Sequence, residues 1–272
     1  MAISNPPTGG SIVSETGKRW LREAAPVVQL HGAPLWMHEF AGRSKEIPYE
    51  IKQNYYYNSD DLITFLRSKG TTPVVITVSG DIVSHLSTKP TLNFPSNLQN
   101  AYIRIINNAT IYGRGGNGAG ENTVPSNRSP GLPGGDAIFN GIGGRLQIVN
   151  NGAIAGGGGG GGQKSIGTTS PGNATYQGGG GGRPFGLGGR ARTEGKGGYH
   201  HGTDASLGAA GSGKCSGNIC SGNGGQVGQK GGDAYGGDTR EGHGSAGGAA
   251  GYAVRGGGAV RSGSGAYYGV VN

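Results

Sequence analysis

The chain has 272 residues and a formal net charge of +8, and glycine accounts for 63 of its residues, a share far above that of ordinary globular domains. Lysines and arginines are scattered rather than gathered in a basic helix, so the charge favours attraction to an anionic surface over nucleic-acid binding. Because no basic start precedes an apolar run, and no stretch approaches about 18 apolar residues, we expect a protein made in the cytoplasm without a signal peptide or a membrane span.

Glycine is distributed unevenly along the chain. Residues 1–112 hold seven of the 63 glycines, which leaves 56 in the 160 residues of 113–272. We therefore predict two domains, 1–112 and 113–272. The first has enough aliphatic and aromatic residues for a small core. The second is by default disordered, because ordering glycine is entropically costly, unless its backbone packs in a regular way.

Both tryptophans of the chain lie in an early segment that is rich in large apolar residues. These side chains can fill the small core. They can also form a docking patch, because tryptophan and methionine are enriched at the centres of protein interfaces. The candidate attachment residues are Trp20, Leu21, Trp36, Met37 and Phe40.

The remainder of the first domain predicts one helix among strands. Residues 60–69 have an apolar face, with Ser59 as the expected N-cap and Gly70 after the end. Residues 72–78, 81–85 and 102–112 are rich in β-branched residues and are separated by turn formers. The first domain is therefore predicted to be small α+β or mostly β.

A repeat links the two domains. The pattern of strand, Asn-Asn corner and glycine run at 103–116 recurs 43 residues later at 146–159. Consecutive glycines at 156–162 and 178–182 exclude collagen, which needs glycine at every third position. The remaining packed structure is the left-handed three-residue helix in its polyglycine form, whose sideways hydrogen bonds require neighbouring helices. Elastin-like disorder is the alternative.

Packing of this kind predicts which runs are central. Runs surrounded on all sides must be pure glycine, as at 156–162 and 178–182, whereas edge runs can show other residues on one face in three. Non-glycine insertions separate the runs at 121–133, 163–177, 190–207, 214–221 and 238–243. If successive helices alternate in direction, these insertions gather at one end, where loops on a rigid scaffold can recognise a partner.

Motifs of enzyme chemistry are weak in this sequence. The segment 208–214 resembles a phosphate loop, but Cys215 replaces the Ser or Thr that would bind magnesium. Cys215 and Cys220 can close a disulfide outside the reducing cytoplasm or stay as free thiols. We find no catalytic constellation, no metal site and no need for a cofactor, so we expect a non-enzymatic protein.

The segments 150–162, 178–189 and 247–254 resemble the glycine motifs of the distal long-tail-fibre adhesins of T-even-like (S16-like) bacteriophages. The resemblance covers nearly the whole chain. It implies that the first domain attaches to the trimeric distal tail-fibre protein and that the glycine runs form a polyglycine II sandwich. It also implies that the loops bind a porin-like bacterial outer-membrane protein, or lipopolysaccharide, from the fibre tip of the virion.

Carried onto this chain, the resemblance makes the loops receptor candidates, and arginine, tyrosine and histidine are the contacts we expect. The residues are Arg128, Tyr176, Arg192, Tyr199, His200, His201, Ile219, Arg240, His243, Tyr267 and Tyr268. The last two can instead cap the final helix. Competing functions are a fibre-assembly chaperone absent from the virion, a polysaccharide depolymerase and an unstructured coat protein.

Overall fold

The computed structural model describes residues 3–28, 30, 34–43, 45–120, 130–166, 175–191, 200–236 and 244–272. Its N-terminal unit contains helices α1 (Gly9–Thr16) and α2 (Leu21–Ala24), with 3₁₀ turns at Ala25–Val28 and Met37–Phe40. The side chain of Thr8 caps α1 by accepting from the Ser11 amide at 3.1 Å. These elements enclose their own small core of Ile3, Ile12, Ala24, Ala25, Val28, Leu30 and Phe40.

Three parallel sheets follow. The strands are β1 (Ile47–Ile51), β2 (Asn54–Tyr57), β3 (Val74–Val78), β4 (Ile82–Ser84), β5 (Leu92–Phe94), β6 (Ile103–Asn107), β7 (Thr110–Tyr112), β8 (Ile138–Asn140), β9 (Leu146–Asn150), β10 (Ala153–Ala155), β11 (Lys164–Ile166), β12 (Thr175–Gln177), β13 (Cys215–Ser216), β14 (Ile219–Cys220), β15 (Val254–Arg255), β16 (Val260–Ser262) and β17 (Ala266–Tyr268). The orders of the three parallel sheets are β1-β3-β6-β9-β16, β2-β4-β7-β10-β17 and β5-β8-β15. The strands β11 and β12 form a separate antiparallel pair, and so do β13 and β14. Each coil of the chain adds a strand to a growing stack, which makes this part a parallel β-solenoid.

The 43-residue repeat sets the register of the stack. Ile103 pairs with Leu146 and Asn107 with Asn150, so β6 and β9 pair at an offset of 43 residues. At the corner the Asn107 amide donates to the Asn150 side-chain oxygen at 2.8 Å, and both side chains are buried. Matching corners satisfy each other's polar groups, which explains why the repeat keeps the Asn-Asn pair.

The predicted helix exists as α3 (Ser59–Ser68). Its N-cap is Asn58 rather than the expected Ser59, because the Asn58 side-chain oxygen accepts from the Asp60 amide at 3.2 Å. The predicted strand at 102–112 divides at the Asn107 corner into β6 and β7. Thus the sequence located these elements, and the structure corrected their ends.

One hydrophobic core runs through the solenoid and includes buried residues from Ile51 to Val254. Strands on both sides of residue 112 contribute to it, for example Ile105 and Ile148. The division at 112 stays a prediction, and the structural change there is in the backbone: β7 ends at Tyr112 and a glycine segment begins. No helix among the described residues is long and apolar enough to cross a membrane.

Candidate functional site

Glycine-rich segments fill the two long excursions from the solenoid, between β7 and β8 and between β10 and β15. Segments that run away from the solenoid are 113–120, 156–162, 186–191, 211–214 and 229–235, and those that return are 130–135, 178–182, 200–203, 221–225 and 244–251. The directions follow from the hydrogen bonds. Gly116 and Ala119 donate to the carbonyls of Gly158 and Gly161, for example, so these two segments are parallel.

The run at 156–162 is surrounded by other segments, and all of its residues are buried. Residues 157 and 160 donate to carbonyls in 132–135, residues 158 and 161 to carbonyls in 180–183, and residues 159 and 162 to carbonyls in 229–232. Carbonyls of the same run accept amides from 116–119, 222–225 and 248–251. The bonding direction therefore repeats every three residues, as in a three-residue helix with six neighbours.

No space remains for a side chain in this run. A Cβ atom at Gly158 would lie 2.0 Å from the Gly225 oxygen, one at Gly160 2.0 Å from the Asn117 oxygen, and one at Gly161 1.9 Å from the Gly222 oxygen. The pure-glycine run at 178–182 is buried as well. Both runs expected to be central are therefore enclosed.

Edge segments show side chains at intervals of three residues. The members of these series are partly or fully exposed: Arg114 and Asn117, Asn223 and Gln226, and Ala246 and Ala249. This spacing is expected for three-residue helices with one free face in three.

The ends of the segments far from the solenoid, here called the distal end, carry the connections of interest. The chain leaves the scaffold there after Gly120, Gly162, Ala191, Lys214 and Tyr235. Part of the predicted insertion 190–207 belongs to the scaffold instead, because Gly178 and Gly181 donate to the carbonyls of His200 and Thr203. Connections of very different sequence thus all begin at the distal end of the scaffold.

A layer of buried polar side chains lies where the glycine runs end. Its members are Gln163, Lys164, Gln177 and Ser221, each at most 5% exposed. The Ser221 hydroxyl donates to the Gly178 carbonyl and accepts from the Lys214 amide, both at 2.7 Å. Sequence analysis missed this layer. The available signal was a polar residue directly flanking each pure-glycine run.

Strands β13 and β14 form a distal hairpin closed by a disulfide between Cys215 and Cys220. Cys220 also exchanges two backbone hydrogen bonds of 2.9 Å with Tyr235 on the next segment. Tyr235 is 62% exposed, which adds a distal aromatic residue that the sequence analysis did not select. A short cross-linked hairpin is preorganised.

The structure brings only some of the predicted receptor residues together. His200, His201 and Ile219 lie at the distal end, with the His201 ring accepting from the Ala191 amide at 3.0 Å. Tyr176 lies on β12, but its side chain is outside the described residues. Also outside them are Arg128, Arg192, Tyr199, Arg240 and His243.

Tyr267 and Tyr268 are placed elsewhere. They lie on β17, which pairs with β10 in the solenoid, and the Gly156 amide donates to the Tyr268 carbonyl at 2.9 Å. Residue 156 begins the central run, so both tyrosines are at its solenoid end. Burial raises the pKa of the Tyr267 hydroxyl. A structural role at the final strand fits them better than a distal contact.

The N-terminal unit separates the predicted attachment residues. Trp20 is 70% exposed and Trp36 60%, and Met37 is also exposed. Leu21 packs partly against the small core, and Phe40 is fully buried in it. Phe40 therefore cannot touch a partner in this conformation and instead supports the surface that carries Trp36 and Met37.

A groove of about 480 Å³ near the solenoid is lined by aromatic residues and Arg114. The Arg114 guanidinium lies 5.7 Å from the ring centres of Tyr56 and Phe185 and donates to the carbonyls of Ser84 and Phe185. Burial lowers its pKa. The arginine thus braces the turn at 183–185. In the described part of the chain, no cluster of three or more His, Cys, Asp or Glu side chains could hold a metal.

A rigid scaffold that presents several unlike connections at one end is typical of binding proteins. The chain belongs to the family described as phage tail fibre adhesin Gp38, which it matches over residues 46–271, while residues 1–41 match the N-terminal domain of that family. It is 44% identical over 232 residues to the receptor-recognizing protein gp38 of Salmonella phage S16, covering 85% of this chain and 86% of that protein.

A solved structure shows the same fold. The chain resembles the crystal structure of the gp37-gp38 adhesin tip complex of the bacteriophage S16 long tail fibre with a TM-score of 0.75 and 40% sequence identity, with full coverage of both chains. The mostly β architecture with few helices agrees with this relative.

Proposed function

We propose that this adhesin binds an outer-membrane protein of a bacterial host through its distal connections and acts without catalysis. The observation that carries the proposal is the convergence of the distal connections on one surface of the glycine scaffold. His200, His201, Ile219 and Tyr235 are among the described side chains that lie there. Their mixture of aromatic, polar and apolar groups suits recognition of a protein surface.

The scaffold itself is, in this proposal, a sandwich of polyglycine II helices. The three-residue recurrence of the bonding directions and the six neighbours of 156–162 support it. Helices held mainly by backbone bonds place few restrictions on the connecting sequences. Such a scaffold can carry unrelated loops without losing its packing.

The N-terminal unit is proposed to attach the protein to the end of a trimeric distal tail-fibre protein and so to place it at the fibre tip of the virion. Trp20, Trp36 and Met37 supply an exposed apolar surface for that contact. The relative crystallised as a gp37-gp38 tip complex supports a fibre partner of this kind.

Adsorption of labelled protein to host cells tests the receptor proposal. We expect binding to one host, loss of binding to a mutant of that host lacking one outer-membrane protein, and loss after residues 192–199 are replaced by a Gly-Ser segment of equal length. The matched control is Gln226→Ala with Val227→Ser, in the turn at the solenoid end, which should bind normally. Normal binding to every single-protein mutant of the host would refute an outer-membrane protein receptor.

A second experiment separates the adhesin from the assembly-chaperone alternative. An adhesin stays on purified virions at the fibre tip, where antibody labelling detects it. A chaperone is released after assembly, so its absence from infectious virions would favour that alternative.

A further inference from the structure

We propose that Gln177 is a positioning residue for receptor recognition, whose buried side chain fixes the disulfide-closed hairpin Cys215–Cys220 in the conformation that meets the host receptor. This inference rests on the proposed function and adds the residue that sets the geometry of one contact element.

The contacts of Gln177 span the whole hairpin. Its carboxamide is fully buried and donates to the carbonyls of Lys214 and Ile219, both at 3.1 Å, while its oxygen accepts from the Ser216 amide at 3.1 Å. The bonding network fixes this orientation, because the reverse would place the amide oxygen against two carbonyl oxygens. One side chain therefore holds backbone groups on both strands of the hairpin.

The backbone of Gln177 is itself anchored. It pairs with Lys164 in the β11–β12 ladder and forms a bridge with His200. The next residue, Gly178, accepts from Ser221, whose amide in turn donates to the Lys214 carbonyl at 2.9 Å. Gln177 thus bonds to three parts of the distal end: Lys164 on β11, His200, and the hairpin Cys215–Cys220. It does so directly before the glycine run 178–182.

The disulfide and Gln177 restrain different movements of the hairpin: separation of its strands and tilting on the scaffold. The bond between Cys215 and Cys220 keeps its two strands together but does not orient the hairpin on the scaffold. Orientation comes from Gln177 below and from Tyr235 beside it. Without the carboxamide, the Ile219 carbonyl and the Ser216 amide each lose a hydrogen-bond partner, and the Lys214 carbonyl keeps only its bonds from Ser221, so the hairpin can tilt toward water.

The test uses the full chain and receptor-bearing host cells. Gln177→Met keeps the length of the side chain and removes its hydrogen bonds. We expect the affinity to fall about tenfold, the effect of one or two lost buried hydrogen bonds. The matched control is Gln147→Met in the solenoid, where Gln147 accepts from Arg104 at 3.0 Å, and this variant should bind like the unmodified protein.

A double-variant cycle separates positioning from general stability. In a chain with Cys215→Ser and Cys220→Ser the two strands are no longer covalently held together, so orienting them on the scaffold contributes little to affinity. Adding Gln177→Met should then change affinity by less than about twofold if it acts through the hairpin. An equal loss in both backgrounds would mean that Gln177 supports the scaffold generally, and would overturn the proposal. So would normal binding by Gln177→Met, or an equal loss in the Gln147→Met control.

All affinities are measured well below the melting temperature of every variant. If Gln177→Met does not fold, Gln177→Asn takes its place, because it keeps the amide but is too short to reach both carbonyls. Failure of the unmodified chain to bind any host would refute the proposed function and this inference with it. Binding by the unmodified chain together with an unaffected Gln177 variant would refute the inference alone.

Discussion

Replacing Gly160 by alanine is expected to break the scaffold with a single methyl group. The new Cβ would lie 2.0 Å from the Asn117 oxygen and 2.3 Å from the Asn117 carbonyl carbon. Ordinary contact needs about 3.5 Å, so the segment 113–120 must move by roughly 1.5 Å. The bonds from Gly160 to Leu132 and from Gly248 to Gly160, at 2.9 and 2.8 Å, fix the same backbone from other sides. Overpacking costs about 1–3 kcal/mol, and we expect at least the upper value because no flexible side chain can yield.

Thermal unfolding measures this cost. A loss of about 3 kcal/mol corresponds to a fall in Tm of about 6–12 °C for a chain of this size. The control is Gly208→Ala, in a turn at the solenoid end, where an added Cβ meets nothing within 4 Å. That variant should stay within about 0.5 kcal/mol of the unmodified protein. A Gly160→Ala protein that is as stable as Gly208→Ala would refute the enclosed packing of the central run.

Four further substitutions address other parts of the molecule. Trp36→Ala should weaken capture by the trimeric fibre protein by at least tenfold in a pull-down, with an unchanged Tm, because Trp36 is an exposed interface anchor in this proposal. Phe40→Ala should instead lower the free energy of unfolding by about 3–5 kcal/mol in denaturant unfolding, because Phe40 is buried. Asn107→Ala should cost about 1–3 kcal/mol in the same assay, because it leaves buried partners of the corner unsatisfied. Bonds from Lys230 and from the Gly247 amide lower the pKa of Asp233, so its contribution is present above the ordinary carboxyl pKa of about 3.9 and is lost as pH falls through the lower folded value. Melting temperatures measured between pH 2 and 7 should therefore fall more on acidification in the unmodified protein than in Asp233→Asn, and equal slopes would contradict this assignment.

The sequence predicted features that depend on short-range spacing. The 43-residue repeat predicted equivalent strands, and these pair in that register, with Asn107 opposite Asn150. The pure-glycine run 156–162 was expected to be enclosed, and it is buried throughout. Both predictions succeed because each position carries its own constraint: a corner needs a polar partner, and an enclosed helix tolerates no Cβ.

Features set by the path of the chain were not readable. Tyr267 and Tyr268 resemble interface tyrosines, yet pairing of β17 with β10 places them at the solenoid end. Gln177 looks like an ordinary loop residue in the sequence, but in the fold it is buried and bonds to the hairpin Cys215–Cys220, which is distant along the chain. Local composition does not record such long-range contacts. Phe40 and Trp36 illustrate the same point: both are aromatic residues of one apolar segment, yet Phe40 is buried in the core and Trp36 is exposed on the surface.

The three-residue recurrence explains how one scaffold can serve different recognition loops. Within 156–162 each residue donates to a neighbour that differs from those used by the residues before and after it, so adding or removing one residue would rotate every later bond by about a third of a turn. The distal connections have no such requirement, since they begin only after the last scaffold bond. Change is therefore restricted inside the glycine runs and tolerated beyond them. The exceptions are the polar residues at the junction, such as Gln177 and Ser221, which bond to both the scaffold and the loops. Loop sequences can vary freely only where their first residues keep these bonds.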